Sequence, residues 1–137
     1  MNLRKAAKIG LALILLGIVG GACSGGQQEK FPAFVYASAL SLESYRAATS
    51  LPQEVLTSMP CYCGCATAQE PHMSLRDCFY NRDGSYSDHA AGCDLCGKIA
   101  MDVQAAYQGG KDLKAIRTII DSKYSVYGTS TDTPPVE

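Results

Sequence analysis

Pro60-Cys61-Tyr62-Cys63-Gly64-Cys65 places three thiols at alternate positions, and Cys78 with Cys93-Asp94-Leu95-Cys96 brings six of the chain's 7 cysteines into one short interval. A chain of 137 residues can bury an adequate apolar core without covalent staples, so the crowding asks for a chemical cause. On a strand, Cys61, Cys63 and Cys65 would share a face at about 6.6 Å per step, whereas on a helix residues two apart diverge. Neither regular form gathers the sulfurs. Pro60 fixes the backbone on one side and Gly64 frees it on the other, so the segment is expected to be an irregular loop that wraps its thiols around an ion. A direct Cys61–Cys63 disulfide would be strained by its short span.

Cys23 stands apart from this group. Arg4, Lys5 and Lys8 precede an apolar run from Ile9 to Val19 that ends in Gly20-Gly21-Ala22, the layout of an export signal. As a helix, Ile9 to Ala22 reaches about 21 Å against a hydrocarbon core of about 30 Å, too short for a permanent span. Cleavage before Cys23 would leave an N-terminal cysteine to carry lipid, and the arrangement resembles a bacterial lipoprotein signal. Gly20 departs from that motif, which usually has Leu, Val or Ile there. The expected organisation is a signal peptide over 1–22, a polar glycine-rich tether over 23–30, a compact domain over 31–127 and a disordered tail over 128–137. The expected location is the extracytoplasmic face of a cell membrane, anchored through lipid on Cys23.

Removing residues 1–22 takes three of the 12 basic residues and none of the 13 acidic ones, leaving a formal charge of −4. A chain with this balance offers no basic face for phosphates, so nucleic acid is not an expected partner. No polybasic segment holds it to an anionic membrane either. A single acyl chain anchors weakly, so a stable tether needs the diacylated cysteine.

Helical periodicity dominates the domain. Val35, Ala39, Leu42, Tyr45 and Ala48 recur at three and four residues, which predicts one helix ending before Leu51-Pro52. A short helix from Pro52 is expected to lead into the cysteine loop. Ser74-Leu75-Arg76-Asp77 reads as a capped start to a short helix that carries Cys78. Asn81-Arg82-Asp83-Gly84 reads as a turn with room for a short hairpin. Leu95, Ile99, Val103 and Ala106 mark the strongest helix, ended by Gly109-Gly110. Asp112 caps a last helix bearing Leu113, Ile116, Ile119 or Ile120, and Tyr124. The fold class is therefore mainly α, a small helical domain with a cysteine-rich irregular loop.

If that strongest helix starts near Cys93, then Cys93 and Cys96 lie on its first turn, where the positive end of the helix dipole favours thiolate. Asp94 between them opposes a strongly oxidising pair. From Met59 through the PCYCGC run, then His72, Asp77-Cys78, Asp88-His89 and Cys93-x-x-Cys96, the residues closely resemble the PCYCGC-motif lipoproteins of bacteria. The resemblance implies an exported, often lipid-anchored protein in which metal binding is suspected. It marks Cys61, Cys63, Cys65, Cys78, Cys93 and Cys96 as motif thiols and His72 and His89 as motif histidines. Ala66 and Ala90 stand where many relatives have glycine.

Soft thiolates select copper(I), zinc, iron–sulfur clusters and other thiophilic ions. Six sulfurs exceed the four of one tetrahedral zinc, and a polynuclear copper(I)–thiolate cluster uses them all. His72 and His89 are candidate additional ligands, as are the thioethers of Met59 and Met73, for which packing is the default. The expected function is sequestration of a soft ion, with copper(I) favoured over zinc, or its transfer to a partner protein, without catalysis. Two alternatives stay open. Three disulfides, with 15 possible pairings, would make a stapled interaction module, and Cys93/Cys96 would suit a thiol–disulfide oxidoreductase.

Overall fold

The computed structural model describes residues 30–64 and 72–137. The fold is mainly α, with α1 at Ala39–Thr49, α2 at Gln53–Thr57, α3 at Arg76–Phe79, α4 at Asp94–Gln108 and α5 at Leu113–Tyr124. Single 3-10 turns at Ala33–Ala37, His89–Gly92 and Ser125–Tyr127 link them. The first helix departs from its predicted form. Ser38 is extended (φ −150°, ψ 161°) and its side chain accepts the Ser41 N–H, so Val35 sits in a separate 3-10 turn and α1 begins at Ala39. The buried face of α1 is accordingly Ser41, Ser44, Tyr45 and Ala48, while Ala39 is exposed.

Two serines on a buried face make sense against α4, with which α1 makes the most extensive helix contact. A Cβ on Gly97 would lie 3.1 Å from Ser44 Cβ, so small residues on both helices let the axes approach closely. The Ser44 hydroxyl is satisfied by donating to the Ser41 carbonyl at 2.7 Å. On the same side, Tyr45 meets Phe79 edge-on at 5.1 Å between ring centroids, with Phe31 and Tyr86 around it. Its hydroxyl donates to the Ser87 carbonyl. This aromatic group holds α3, and with it Cys78, against α1.

The later elements follow the sequence closely. Cys96, Ile99, Ala100, Val103 and Ala106 are the buried face of α4, and Gly109-Gly110 closes it with Gly110 at φ 77°, a left-handed conformation suited to glycine. The Asp112 side chain accepts the Ala115 N–H at 2.7 Å to start α5, whose inner face is Ile116, Ile120 and Tyr124; Ile119 points outward. The hairpin reduces to one antiparallel bridge between Tyr80 and Tyr86, around a turn in which Gly84 has φ 86°. No strand forms among the described residues.

The end of the chain corrects an expectation. Residues 128–137 were expected to fray, yet Thr131 and Thr133 are buried. The tail lies across the cysteine loop, so the packed unit extends past residue 127.

Candidate metal centre

Three elements deliver the sulfurs. The loop after α2 carries Cys61 and Cys63, α3 carries Cys78, and the first turn of α4 carries Cys93 as its N-cap and Cys96 within it. The stems of the loop are pinned, with the Leu75 N–H donating to the Met59 carbonyl at 2.8 Å. Asp77 accepts the Met73 N–H at 2.9 Å, one residue before the Ser74 N–H that the expected cap would use, and α3 starts after Leu75 with no side-chain cap. Gly64, at φ 83°, supplies the left-handed step that turns the chain out of the motif.

The tail braces this loop from outside. Cys61 donates its N–H to Thr131 Oγ1 at 3.0 Å and accepts the Thr131 N–H at 2.9 Å, while Thr133 Oγ1 donates to the Met73 carbonyl at 2.7 Å. Tyr62, the middle of the motif, is buried and donates its hydroxyl to Asp121 on α5 at 2.6 Å. Asp121 is itself paired with Arg117 at 3.0 Å, whose guanidinium also donates to the Ser58 and Pro134 carbonyls. Thr131, Thr133, Arg117 and Asp121 are site-shaping residues that the sequence did not reveal. The composition of the tail gave no pattern that ties it to a loop some 70 residues earlier.

The sulfurs converge. Cys96 Sγ lies 3.3 Å from Cys61 Sγ, 3.2 Å from Cys78 Sγ and 3.6 Å from Cys63 Sγ, and Cys61 and Cys63 sulfurs are 3.2 Å apart without a bond between them. A tetrahedral ion with metal–sulfur distances of about 2.3 Å spaces its sulfurs about 3.8 Å apart, so the group is a slightly contracted ligand shell. Outward movement of a few tenths of an ångström would admit an ion. Three overlapping donor sets have ligand atoms all within 4.8 Å of one another: Cys61, Cys63, Cys78 and Cys96; Cys63, His89, Cys93 and Cys96; and His72, Cys78 and His89.

Both histidines therefore join the thiols, with His72 Nδ1 3.7 Å from Cys78 Sγ, His89 Nε2 3.8 Å from Cys63 Sγ, and the two rings meeting at 4.6 Å. Met59 is fully buried in the core, as expected, whereas Met73 is 48% exposed. Cys23 and Cys65 lie outside the described residues. Cys63 is disulfide-bonded, and none of Cys61, Cys78, Cys93 and Cys96 is its partner, since all four are free thiols. As a metal ligand Cys63 has to be reduced first.

The electrostatics divide the thiols into two kinds. Hydrogen bonds from Cys78 and Cys96 hold Cys61 well below the ordinary thiol range, while Cys78 and Cys96, donating to that thiolate, are pushed up. Cys93 is lowered to about 4 by hydrogen bonds from Cys96 and His89, and His89 is raised in turn by Cys93. Burial pushes His72 down. The metal-free site thus holds thiolates at Cys61 and Cys93 and protonated sulfur at Cys78 and Cys96. Because the folded value for Cys93 lies below the ordinary 9.0, its thiolate persists at neutral pH and is lost only as pH falls through about 4. Reduced, metal-free protein should therefore alkylate at Cys93 at pH 6, with Cys78 and Cys96 silent. Peptide mapping after iodoacetamide reads this directly, and equal labelling of all three sites would contradict it.

The fold and this centre define a small helical protein built around a buried cysteine–histidine cluster. The chain belongs to the family described as "Protein of unknown function with PCYCGC motif", which matches residues 23–136 and so includes both Cys23 and the bracing tail. No curated protein and no solved structure matches it. No helix among the described residues is long and apolar enough to cross a membrane.

Proposed function

We propose that the protein binds soft metal ions, copper(I) above others, in a polynuclear thiolate cluster and holds them for sequestration or transfer to a partner protein. The observation that carries this reading is the meeting of Cys61, Cys63, Cys78 and Cys96 sulfurs at 3.2–3.6 Å on three separate elements. Overlapping donor sets favour copper(I) over a single zinc, because copper(I) accepts few ligands per ion and shares bridging thiolates. Free thiols at four of the described cysteines weigh against the stapled-module reading. Lipid on Cys23 and export by residues 1–22 would place the site on the extracytoplasmic face of the membrane.

Binding must expel the protons held by the Cys78 and Cys96 thiols, so uptake acidifies a weakly buffered solution. The test is anaerobic titration of the reduced protein with copper(I), following thiolate-to-copper absorption and bound metal by elemental analysis. More than one copper per chain with proton release is expected. Native material that is fully oxidised and free of metal, and that takes up none after reduction, would overturn the reading.

A further inference from the structure

The three donor sets are not equivalent. Two of them include Cys63, which is disulfide-bonded, while the set of His72, Cys78 and His89 contains no disulfide-bonded residue, and Cys78 gives up its proton on binding. Its geometry suits an ion. Metal–sulfur and metal–nitrogen bonds of about 2.3 and 2.0 Å at tetrahedral to trigonal angles put the two donor atoms about 3.5–3.7 Å apart, and Cys78 Sγ and His72 Nδ1 are 3.7 Å apart. The set also differs in access. Cys61, Cys78 and Cys96 are at most 1% exposed, so an ion from solvent reaches these three only past the half-buried groups around them, Cys63, Cys93 and the two histidines. His72 and His89 are half-buried, and His72 lines an open cleft of about 440 Å³ together with the exposed thioether of Met73.

We propose that His72, Cys78 and His89 form a separate mixed nitrogen–sulfur copper site, complete while Cys63 is oxidised, and that ions pass through it to and from the buried sulfurs. Two shared donors make the passage short. Cys78 belongs to both this set and the sulfur-only set, and His89 belongs to both this set and the one containing Cys93. A neutral imidazole nitrogen has one lone pair, so His89 serves one ion at a time through that atom. An ion held by His72, Cys78 and His89 can therefore move inward by exchanging histidine nitrogen for Cys61 or Cys96 sulfur while Cys78 keeps hold of it. No electron is transferred, and copper(I) remains copper(I).

This inference rests on the metal-binding reading above, and the experiment separates the two. Full-length protein with the Cys63 disulfide intact is given one equivalent of copper(I) as its acetonitrile complex without oxygen. X-ray absorption should show nitrogen and sulfur together in the first shell. In a second measurement, loaded reduced protein is mixed with the chelator bathocuproine disulfonate. His72→Ala and His89→Ala should each slow copper removal at least about tenfold while total capacity falls by no more than one ion. Circular dichroism verifies that both variants keep the helical fold, and His72→Cys, which restores a soft donor, should recover the rate. A first equivalent bound by sulfur alone, or removal rates unchanged in both variants, would overturn the proposal while leaving the metal reading intact. Failure of reduced wild-type protein to bind any copper would overturn both.

Discussion

Replacing Cys96 with serine should abolish most tight copper(I) binding, weakening it by at least about 100-fold, the upper end of what loss of a mere supporting group costs a metal site. Cys96 is the hub of the cluster, with its sulfur within 3.6 Å of those of Cys61, Cys63 and Cys78. It also belongs to two of the three donor sets. A hydroxyl is a poor ligand for a soft ion, and in the fully buried position of Cys96 it would need hydrogen-bond partners that the surrounding sulfurs provide badly. Cys93→Ser removes a half-buried thiolate that belongs to one set only, and its effect should be nearer tenfold. Competition with a chromophoric chelator measures both. Equal, small losses in the two variants would mean that no ion sits among the buried sulfurs. Cys96→Ala serves as the control for folding, since it leaves no buried hydroxyl and should lose copper to the same extent.

Periodicity and capping made the helices legible because each rests on signals a few residues apart. Ile99, Val103 and Ala106 repeat at helical spacing, Gly109-Gly110 stops α4, and the Asp112 carboxylate starts α5. The same local logic misjudged the first helix. Its apolar stripe ran through Ser38, a residue whose side chain prefers to accept a backbone N–H at a helix start, and the cap outweighed the stripe. The buried face of α1 was hidden for another reason: where helices cross closely the pattern favours small residues, and Ser41 and Ser44 carry no hydrophobic signal.

That Cys61, Cys63, Cys78, Cys93 and Cys96 belong together was legible, because crowding beyond the needs of packing is a chemical statement by itself. Their division into thiolates and proton donors was not, since it depends on which sulfur receives hydrogen bonds from which. Local sequence did foreshadow Cys93, whose place at the helix start favours thiolate despite Asp94 beside it. The involvement of both histidines follows from the tertiary meeting of the 3-10 turn at His89–Gly92 with the stem of the loop at His72. No spacing along the chain encodes that meeting.

Deleting residues 129–137 should destabilise the cysteine loop as strongly as a core truncation and raise the reactivity of Cys61. The tail supplies both hydrogen bonds to the backbone of Cys61, one in each direction, and its Thr133 hydroxyl ties down Met73 on the opposite stem. Without it, the buried Cys61 N–H loses its partner, a cost of about 1–3 kcal/mol, and the Met73 carbonyl and the Arg117 guanidinium each lose one as well. Thermal unfolding should move down by several degrees at least, on the basis that about 1 kcal/mol shifts the midpoint of a domain this size by about 4–8 °C. The single change Thr131→Val separates hydrogen bonding from packing, because it keeps the shape and removes the hydroxyl that accepts from Cys61 and meets Thr133. It should cost about 1–3 kcal/mol on its own. Alkylation of Cys61, buried at 1% exposure in the intact chain, should rise in both variants, since only opening of the loop exposes that sulfur. Unchanged stability and an unreactive Cys61 after the deletion would show that the loop holds its shape through Tyr62 and Asp121 alone, with the tail resting on it passively.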